Sequence, residues 1–492
     1  MSQRELKEAF FRNLNGTSLQ EVALGSFLSP LCLISRGLLL ILYHQANKTH
    51  LLPLPVISHL LLDFSVLILP LVLSCTLLSS HLHEVAIIVM IVLTCLLWYI
   101  CRINSHPVNT VSAFLQSHVQ LHHVPFVTLF RVAVNVKTAI SILAVDFSVF
   151  PRRYAKTETY GTGVMDYGVG GFVFANALVC PEARRKNTSE SKMKHIAQQI
   201  LSVWPLFALG MGRLLSVKMT GYHEHVTEYG VHWNFFFTLA IVRVAASIIF
   251  TVLPPSQSWI VALLISGIYQ FTLDTSGLKA FIIHNNDRAK DFLHANKEGV
   301  FSTLGYVAIY MAGVQVGLYV MQPRSQVRQW VKALFNLLLG CFVLYAALCI
   351  CQTLVEPVSR RLANLPFCMW SVAQSLFLMS TLGLADIILL FSQRTSGCHV
   401  VPSSWTMCEK QSDSVSDKKP VEIEKYCFVQ AVSRNQLLYF LLANVLTGLT
   451  NFTVDTINCS SLISVCVLLL YMLTNCTIMY VLHLCGITVK FW

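Results

Sequence analysis

The sequence predicts an all-α, polytopic integral membrane protein with about 13 transmembrane helices. Of its 492 residues, 55% are hydrophobic and only 12% are charged, whereas an ordinary soluble domain carries about twice that charged fraction. Apolar runs of about 20 residues, the length that crosses a bilayer, recur along the whole chain. No repeat period divides the chain, so we expect a single transmembrane domain over residues 1–492.

Each apolar run is assigned to one membrane span. The runs lie near 21–44, 52–75, 83–101, 126–148, 162–182, 195–215, 232–252, 257–274, 299–321, 329–352, 364–392, 433–452 and 460–486. The first 20 residues are polar and lack the apolar core of a cleaved signal peptide, so the first run is expected to insert as a signal anchor. The polar stretch 393–432 has the composition of a flexible loop.

Thirteen spans place alternate loops on two sides of the membrane. We call side one the side of the N-terminus; its loops are 76–82, 149–161, 216–231, 275–298, 353–363 and 453–459. The conspicuous polar clusters all fall there, which predicts a single active face. Lys and Arg are slightly more frequent on side two, which favours a cytosolic side two, including loop 393–432. The net charge of +11 is spread over short loops, so nucleic acid is not an expected partner.

The most informative stretch is the hairpin between the fourth and fifth spans. Asp146, Arg152, Arg153, Lys156 and Asp166 lie within about 20 residues at a membrane edge, where charges need a partner or a function. A loop with a proline could fold the Lys156 ammonium onto the Asp146 carboxylate. Such a pair could remove a hydroxyl proton and stabilise an oxyanion, or it could be an interfacial salt bridge, and spacing alone leaves both open.

A second cluster covers residues 222–234. It contains His223, Glu224, His225, Glu228, His232 and Asn234. No HExxH spacing is present, so we expect no metal, and we predict that His232 and Asn234 line the reaction cavity. Further side-one candidates for substrate binding are Asp166, Glu228, Asn296, Arg360 and Arg361. Sequons occur at Asn15, Asn47, Asn187, Asn451, Asn458 and Asn475, which makes glycosylation conceivable.

Isolated charges inside the spans suggest a transporter as the alternative function. They are Arg36, Asp63, Arg131, Lys137, Arg213, Arg243, Asp274 and Asp386. Some of them must pair across helices. No two halves of the chain look alike, as inverted transporter repeats would. A membrane-bound O-acyltransferase of the His-signature type is rejected, because the acid expected four residues after His123 is absent.

The hairpin LAVDFSVFPRRYAKTETYGTGVMDYGVGGFVF resembles the PIG-W family, the inositol acyltransferases of glycosylphosphatidylinositol (GPI) anchor biosynthesis. The stretches EHVTEYGVHWNFFFT, ANKEGVFSTLGYVAIYMAGVQ and SRRLANLPFCMW are similar to the same family. The resemblance implies an endoplasmic reticulum membrane enzyme of about thirteen helices. It would transfer a fatty acyl group, typically palmitoyl, from acyl-CoA to the inositol 2-hydroxyl of glucosaminyl-phosphatidylinositol.

The resemblance also implies particular residues and partners. The family's Asp–Lys pair corresponds to Asp146 and Lys156, and its reaction is luminal, in agreement with the clustering on side one. Acyl-CoA would be a co-substrate, and no resident cofactor is expected. The phosphates of CoA or of the lipid substrate could be held by Arg152 and Arg153 or by Arg360 and Arg361.

Overall fold

The computed structural model describes residues 14–46, 56–103, 111–120, 124–184, 192–220, 226–285, 287–398, 406–407 and 427–489. Within them, thirteen helices of 15 or more residues follow one another along the chain. They are α1 Leu19–Ala46, α2 Val56–Ser74, α3 Leu82–Ile103, α4 Pro125–Ala144, α5 Val164–Leu178, α6 Lys192–Thr220, α7 Phe235–Val252, α8 Ser258–Thr275, α9 Lys297–Val320, α10 Val327–Leu354, α11 Leu365–Ser396, α12 Gln436–Thr453 and α13 Ser461–Leu484. Each corresponds to one span expected from the sequence, so the all-α fold is confirmed.

The thirteen helices differ in how well they suit a bilayer. Ten described helices are individually long and apolar enough to cross it, and α8 joins them if it is counted together with the helix Leu278–His284, which bends away by 76°. The helix α5 has only 15 residues, or about 22 Å, against about 30 Å of hydrocarbon. At least one end of α5 therefore lies below the membrane surface, enclosed by protein.

The helix α11 forms the centre of the bundle, because α1, α4, α5, α9 and α10 all pack against it. Small residues let the neighbours approach closely. A Cβ atom at Gly170 of α5 would collide with Ser371 of α11, and one at Gly305 of α9 would collide with the backbone of Ala363. The outer helices α3, α6 and α10 instead bury less than a third of their residues inside the protein, as lipid-facing helices do.

Loops of equal parity meet at the same end of the bundle. On side one, Gly161 N donates to Val358 O at 2.8 Å and Glu158 N donates to Leu14 O at 3.1 Å. On side two, two-residue strands β1 (Val119–Gln120) and β2 (Thr406–Met407) pair in antiparallel fashion. The predicted separation of the loops into two sides agrees with these contacts.

The predicted loop 393–432 is shorter in the structure at both ends. Helix α11 continues to Ser396, and a short helix begins at Phe428. The strand β2 also falls inside the predicted loop. The centre of the predicted loop, residues 408–426, lies outside the described residues.

Some of the charges within the spans are paired, as expected. The guanidinium of Arg36 in α1 binds the carboxylate of Asp63 in α2, and both side chains are buried. Asp63 also accepts from the backbone N–H of Phe428 at 2.9 Å. Together, these contacts join α1, α2 and the segment at Phe428. They give Arg36 and Asp63 a structural role, so neither charge requires a transport function.

Candidate active site

Arg152 organises the hairpin between α4 and α5. Its Nη2 donates to the carbonyl oxygens of Val145, Phe147 and Phe150 at 2.9–3.0 Å, which ties together the turn that follows α4. Burial lowers the pKa of Arg152 to about 10, and the negative charge of Asp146 acts in the opposite direction. Arg152 therefore fixes the loop beside Asp146.

Asp146 is held from a distant part of the chain. Asn451, in the last turn of α12, donates from Nδ2 to Asp146 Oδ2 at 2.8 Å. The same amide group also donates to the carbonyl of Thr447, one turn earlier. Two donations fix the Asn451 side chain, so it presents an N–H to a carboxylate that must act as acceptor. Asn451 was not among the predicted site residues. Like those residues, it lies near the membrane edge on side one, at the end of an apolar helix.

Lys156 forms its ion pair with Glu228, at 2.6 Å between Nζ and Oε2. The spacing also allowed a direct contact between Lys156 and Asp146, but the structure places the Lys156 ammonium against Glu228 instead. Two neighbours of Lys156 explain the difference: Ala155 is buried, and the backbone N–H of Thr157 donates to Asp166 at 3.2 Å. The backbone is thus held on the Asp166 side, and the Lys156 side chain extends to the short helix Val226–Tyr229.

Asp166 and Arg360 form a buried ion pair. Arg360 Nε donates to Asp166 Oδ1 at 2.8 Å, and both side chains are almost fully buried. Asp166 also accepts from Gly163 N at 2.9 Å, which ties it to the start of α5. Burial acts to lower the pKa of Arg360, but the charges of Asp166 and Glu228 outweigh it and raise that pKa. The two ion pairs therefore belong to one charged network.

Three more predicted residues hold side-one segments together. Arg361 donates to Glu298 at 2.9 Å, and Glu298 also accepts from Arg288 at 2.7 Å. Asn296 is buried and accepts the backbone N–H of His232 at 2.7 Å. Arg153 pairs with Glu21 of α1 at 2.9 Å.

Asn234 caps a helix. Its side-chain oxygen accepts from Phe236 N and Phe237 N at the start of α7, and its Nδ2 donates to Gly210 O at 2.8 Å. The residue is buried, so its direct contribution is to the local structure. The sequence predicted that Asn234 lines the reaction cavity, whereas in the structure it caps α7.

Some donors at the site remain available. Nη1 of Arg360 and Nε of Arg361 are buried without a hydrogen-bond partner among the described residues. Such donors suit an anionic substrate group. In the described part of the chain no three or more His, Cys, Asp or Glu side chains are grouped to hold a metal ion, but His223, Glu224 and His225 fall outside it.

The side-one end of the bundle thus holds an amide-bound carboxylate, Asp146, and a carboxylate-bound ammonium, Lys156, on one hairpin. The fold and this site define a polytopic membrane protein with acid–base groups at a single face. The chain belongs to the GWT1 family, whose model matches residues 3–482. Full-length relatives named PIGW confirm the predicted resemblance to the PIG-W proteins.

Similarity to individual proteins extends over the full length. The chain is 46% identical over 510 residues to the glucosaminyl-phosphatidylinositol-acyltransferase PIGW of Mus musculus, with 100% of both chains covered. It is 43% identical over 513 residues to the protein of the same name from Homo sapiens, again over 100% of both chains. It is 32% identical over 506 residues to the GPI-anchored wall transfer protein 1 of Saccharomyces cerevisiae, over 95% of each.

The contact between Asn451 and Asp146 gives a testable prediction. We expect Asn451→Ala to lower kcat about tenfold or more with little change in KM, since a hydrogen bond to a charged group contributes about 1.5–3 kcal/mol. Asn458→Ala is the matched control, because Asn458 bonds to Asp455 in the next loop. The measurement is steady-state acyl transfer in microsomes. Equal kcat values for Asn451→Ala and wild type would show that this contact does not position Asp146.

Proposed function

We propose that this chain transfers a fatty acyl group from acyl-CoA to the inositol 2-hydroxyl of glucosaminyl-phosphatidylinositol, at the luminal face of the endoplasmic reticulum membrane. One observation carries the proposal: the carboxylate of Asp146 is fixed by Asn451 at the same end of the bundle as the ammonium of Lys156. The names of the full-length relatives support the acyltransferase activity and the lipid substrate.

Asp146 is the general base in this proposal. A secondary hydroxyl attacks a thioester only when its proton is removed, and an anchored carboxylate can accept that proton. An ionised carboxylate has two oxygens with several acceptor sites, so Asp146 can accept the substrate hydroxyl in addition to the amide of Asn451. The acylated inositol and CoA are the products.

Lys156 stabilises the negative charge that develops on the thioester carbonyl oxygen. Glu228 holds the ammonium in place, and the side chain of Lys156 is only half-buried, so it is accessible to a bound substrate. Glu228 therefore acts on Lys156 as a positioning residue.

The transporter alternative receives no support. The full-length relatives carry the name of an acyltransferase, and two of the charges inside the spans neutralise each other. A transporter would move a solute and form no covalent product, so the two functions are separable by experiment.

The acyl donor is tested directly with purified protein. We expect transfer of label from fatty acyl-CoA to the inositol ring of glucosaminyl-phosphatidylinositol, with one CoA released per acyl group. Parallel samples receive the same labelled fatty acid either free or esterified in a phospholipid. Transfer from the phospholipid, with none from acyl-CoA, would replace the proposed donor.

The proposed orientation of the protein in the membrane can be tested separately. We expect a tag inserted in 408–426 to be digested by protease in sealed microsomes, because side two is proposed to be cytosolic. A tag inserted in 453–459 is the control and should be protected until detergent is added. Protection of the first tag together with digestion of the second would reverse the orientation and place the site in the cytosol.

A further inference from the structure

A buried carboxylate that the proposed mechanism does not use belongs to Glu356, in the loop between α10 and α11. Its side chain is only 5% exposed. Its Oε2 accepts from Lys279 at 2.8 Å and from the hydroxyl of Tyr160 at 3.3 Å. Its Oε1 accepts from Gln270 at 2.8 Å and from Asn364 at 2.9 Å. Each oxygen thus carries two hydrogen bonds, which fixes the carboxylate in place. We call these five side chains the Glu356 junction.

The four donors of the Glu356 junction come from four segments on side one. One lies in the hairpin between α4 and α5, one in α8, one in the helix Leu278–His284 after the bend, and one at the start of α11. A charge at a membrane edge needs a partner, and Lys279 supplies it while also pairing with Asp274 at 3.1 Å. The other three donors are neutral. Their contribution is therefore to join the segments.

Tyr160 is the member of the junction that belongs to the hairpin. It is half-buried, and burial together with the charge of Glu356 raises the pKa of its hydroxyl, which therefore stays protonated and able to donate. Tyr160 also packs against a small apolar cluster at the bend in α8, made of Tyr269, Leu273, Ile282 and Leu362. Both the ring and the hydroxyl of Tyr160 thus hold the hairpin against the bend.

The loop between α10 and α11 also holds the neighbours of Tyr160. Ser359 Oγ donates to the carbonyl of Thr159 at 2.5 Å. The backbone N–H of Gly161 donates to the carbonyl of Val358 at 2.8 Å. Three successive residues of the hairpin are therefore bound to one loop, in addition to the buried ion pair that joins the same loop to the start of α5.

These contacts bear on Lys156, which lies four residues before Tyr160. Residues 155–163 form no helix or strand, so the course of this stretch depends on contacts with other segments. Near its beginning, the N–H of Thr157 donates to Asp166 at 3.2 Å; near its end, the junction holds Tyr160. Because a misplacement of about 1 Å can lower a catalytic rate about 100-fold, the two anchors matter for where the Lys156 ammonium lies.

We propose that Glu356 is a positioning residue for acyl transfer, which acts through the hydroxyl of Tyr160 to hold the hairpin where the Lys156 ammonium meets the developing oxyanion. This inference rests on the proposed function, because that function assigns Lys156 to the thioester carbonyl. Glu356 itself touches no reacting atom. Its role differs from that of Glu228, since Glu228 binds the ammonium directly whereas Glu356 fixes the backbone that carries it.

A purely structural role for the junction is the alternative. Gln270 and Asn364 already join α8 to α11 through Glu356 without any help from the hairpin. If the junction only stabilised the bend in α8, its loss would lower stability but leave the rate of each folded molecule unchanged. The test must therefore measure both the hairpin and the rate per folded molecule.

The first part of the test measures amide hydrogen exchange of the purified full-length protein and needs no substrate. We expect Tyr160→Phe to speed exchange in residues 155–163 about tenfold, since it removes one hydrogen bond to a charged group. Tyr269→Phe is the matched control, because its hydroxyl donates to the carbonyl of Leu362 at 2.8 Å in the same cluster and not to the hairpin. It should change exchange in 155–163 less than about twofold.

The second part measures acyl transfer, with rates divided by the amount of folded protein. Tyr160→Phe and Glu356→Gln should each lower kcat about tenfold with little change in KM, whereas Tyr269→Phe should leave kcat close to wild type. In a Lys156→Met background, adding Tyr160→Phe should lower the residual rate less than about twofold, because the group that it positions is already absent. A structural role would lower the rate by the same factor in both backgrounds.

Tyr160→Phe removes a single hydroxyl, so it tests the proposal even if Glu356→Gln fails to fold. Unchanged exchange in 155–163, an equal loss of kcat in Tyr269→Phe, or full additivity with Lys156→Met would each overturn the role of Glu356. A wild-type protein that transfers no acyl group from acyl-CoA would reject the proposed function. Normal transfer by both wild type and Tyr160→Phe would reject only the positioning role, so the two failures are distinguishable.

Discussion

Asp146→Asn should reduce acyl transfer at least about 100-fold, the typical loss when a general base is removed. The substitution keeps the size of the side chain and the contact with Asn451, but an amide cannot accept the hydroxyl proton. Lys156→Met should be comparably severe, whereas Lys156→Arg keeps the charge in another shape and should retain partial activity. The double variant should lose little more than the worse single one, because the two residues act together. Turnover of labelled acyl-CoA is the measurement.

The control for this prediction is Asp455→Asn. Asp455 is an exposed acid on the same side of the membrane, bonded to Asn458, and its loss should leave turnover within about twofold. CoA binding must be measured on each variant to show that the protein is folded. A folded Asp146→Asn protein that binds CoA and transfers acyl groups at the wild-type rate would make Asp146 structural.

Arg360→Met should destabilise the protein by about 3–5 kcal/mol, since it leaves Asp166 buried without its counter-charge. Asp166 is fully buried, so water cannot replace the lost guanidinium. The double variant Arg360→Met, Asp166→Asn should recover part of the loss, because it removes both charges. Thermal unfolding in detergent, with chemical denaturation as a second measure, gives the comparison.

Arg153→Met is the matched control for Arg360→Met. Arg153 also forms an ion pair on side one, with Glu21, but its side chain is 41% exposed. An exposed pair contributes at most about 1 kcal/mol, so this variant should unfold close to wild type. If the two arginine variants are equally stable, the Asp166–Arg360 pair is not the structural element that its burial indicates.

The helices were predictable because a bilayer imposes a simple rule. A segment must be apolar for about 20 residues to cross it, and each of the thirteen apolar runs became a helix. The short helix α5 was also predicted as a full-length span, because the residues that flank it extend the apolar run in the sequence. The bend after α8 was not predicted; it occurs at Ser276 and Gly277, where Gly277 has φ of +72°.

Most residues of the proposed site stand out in the sequence, but their partners do not. A search for charges at membrane edges found Asp146, Lys156, Glu228 and Arg360, because a charge in that position is costly. It missed Asn451, which carries no charge. The pairing of Lys156 with Glu228 joins residues 72 positions apart, and no periodicity relates such positions.

The partners of charges within the spans became apparent only from the structure. In the sequence, Arg36 and Asp63 are two of eight isolated charges. The structure shows that they form a buried ion pair between α1 and α2. This pairing arises from helix packing, which hydropathy does not encode.

The central claim, that the carboxylate of Asp146 takes the proton from the inositol hydroxyl, is tested most directly by the pH dependence of single-turnover acyl transfer. For wild type we predict a rate that falls in acid with the uptake of one proton, because a protonated carboxylate cannot act as base. The residual rate of Asp146→Asn should lose this acidic limb, and that of Glu228→Gln should keep it. An acidic limb that persists unchanged in Asp146→Asn and disappears in Glu228→Gln would contradict the account and make Glu228 the base.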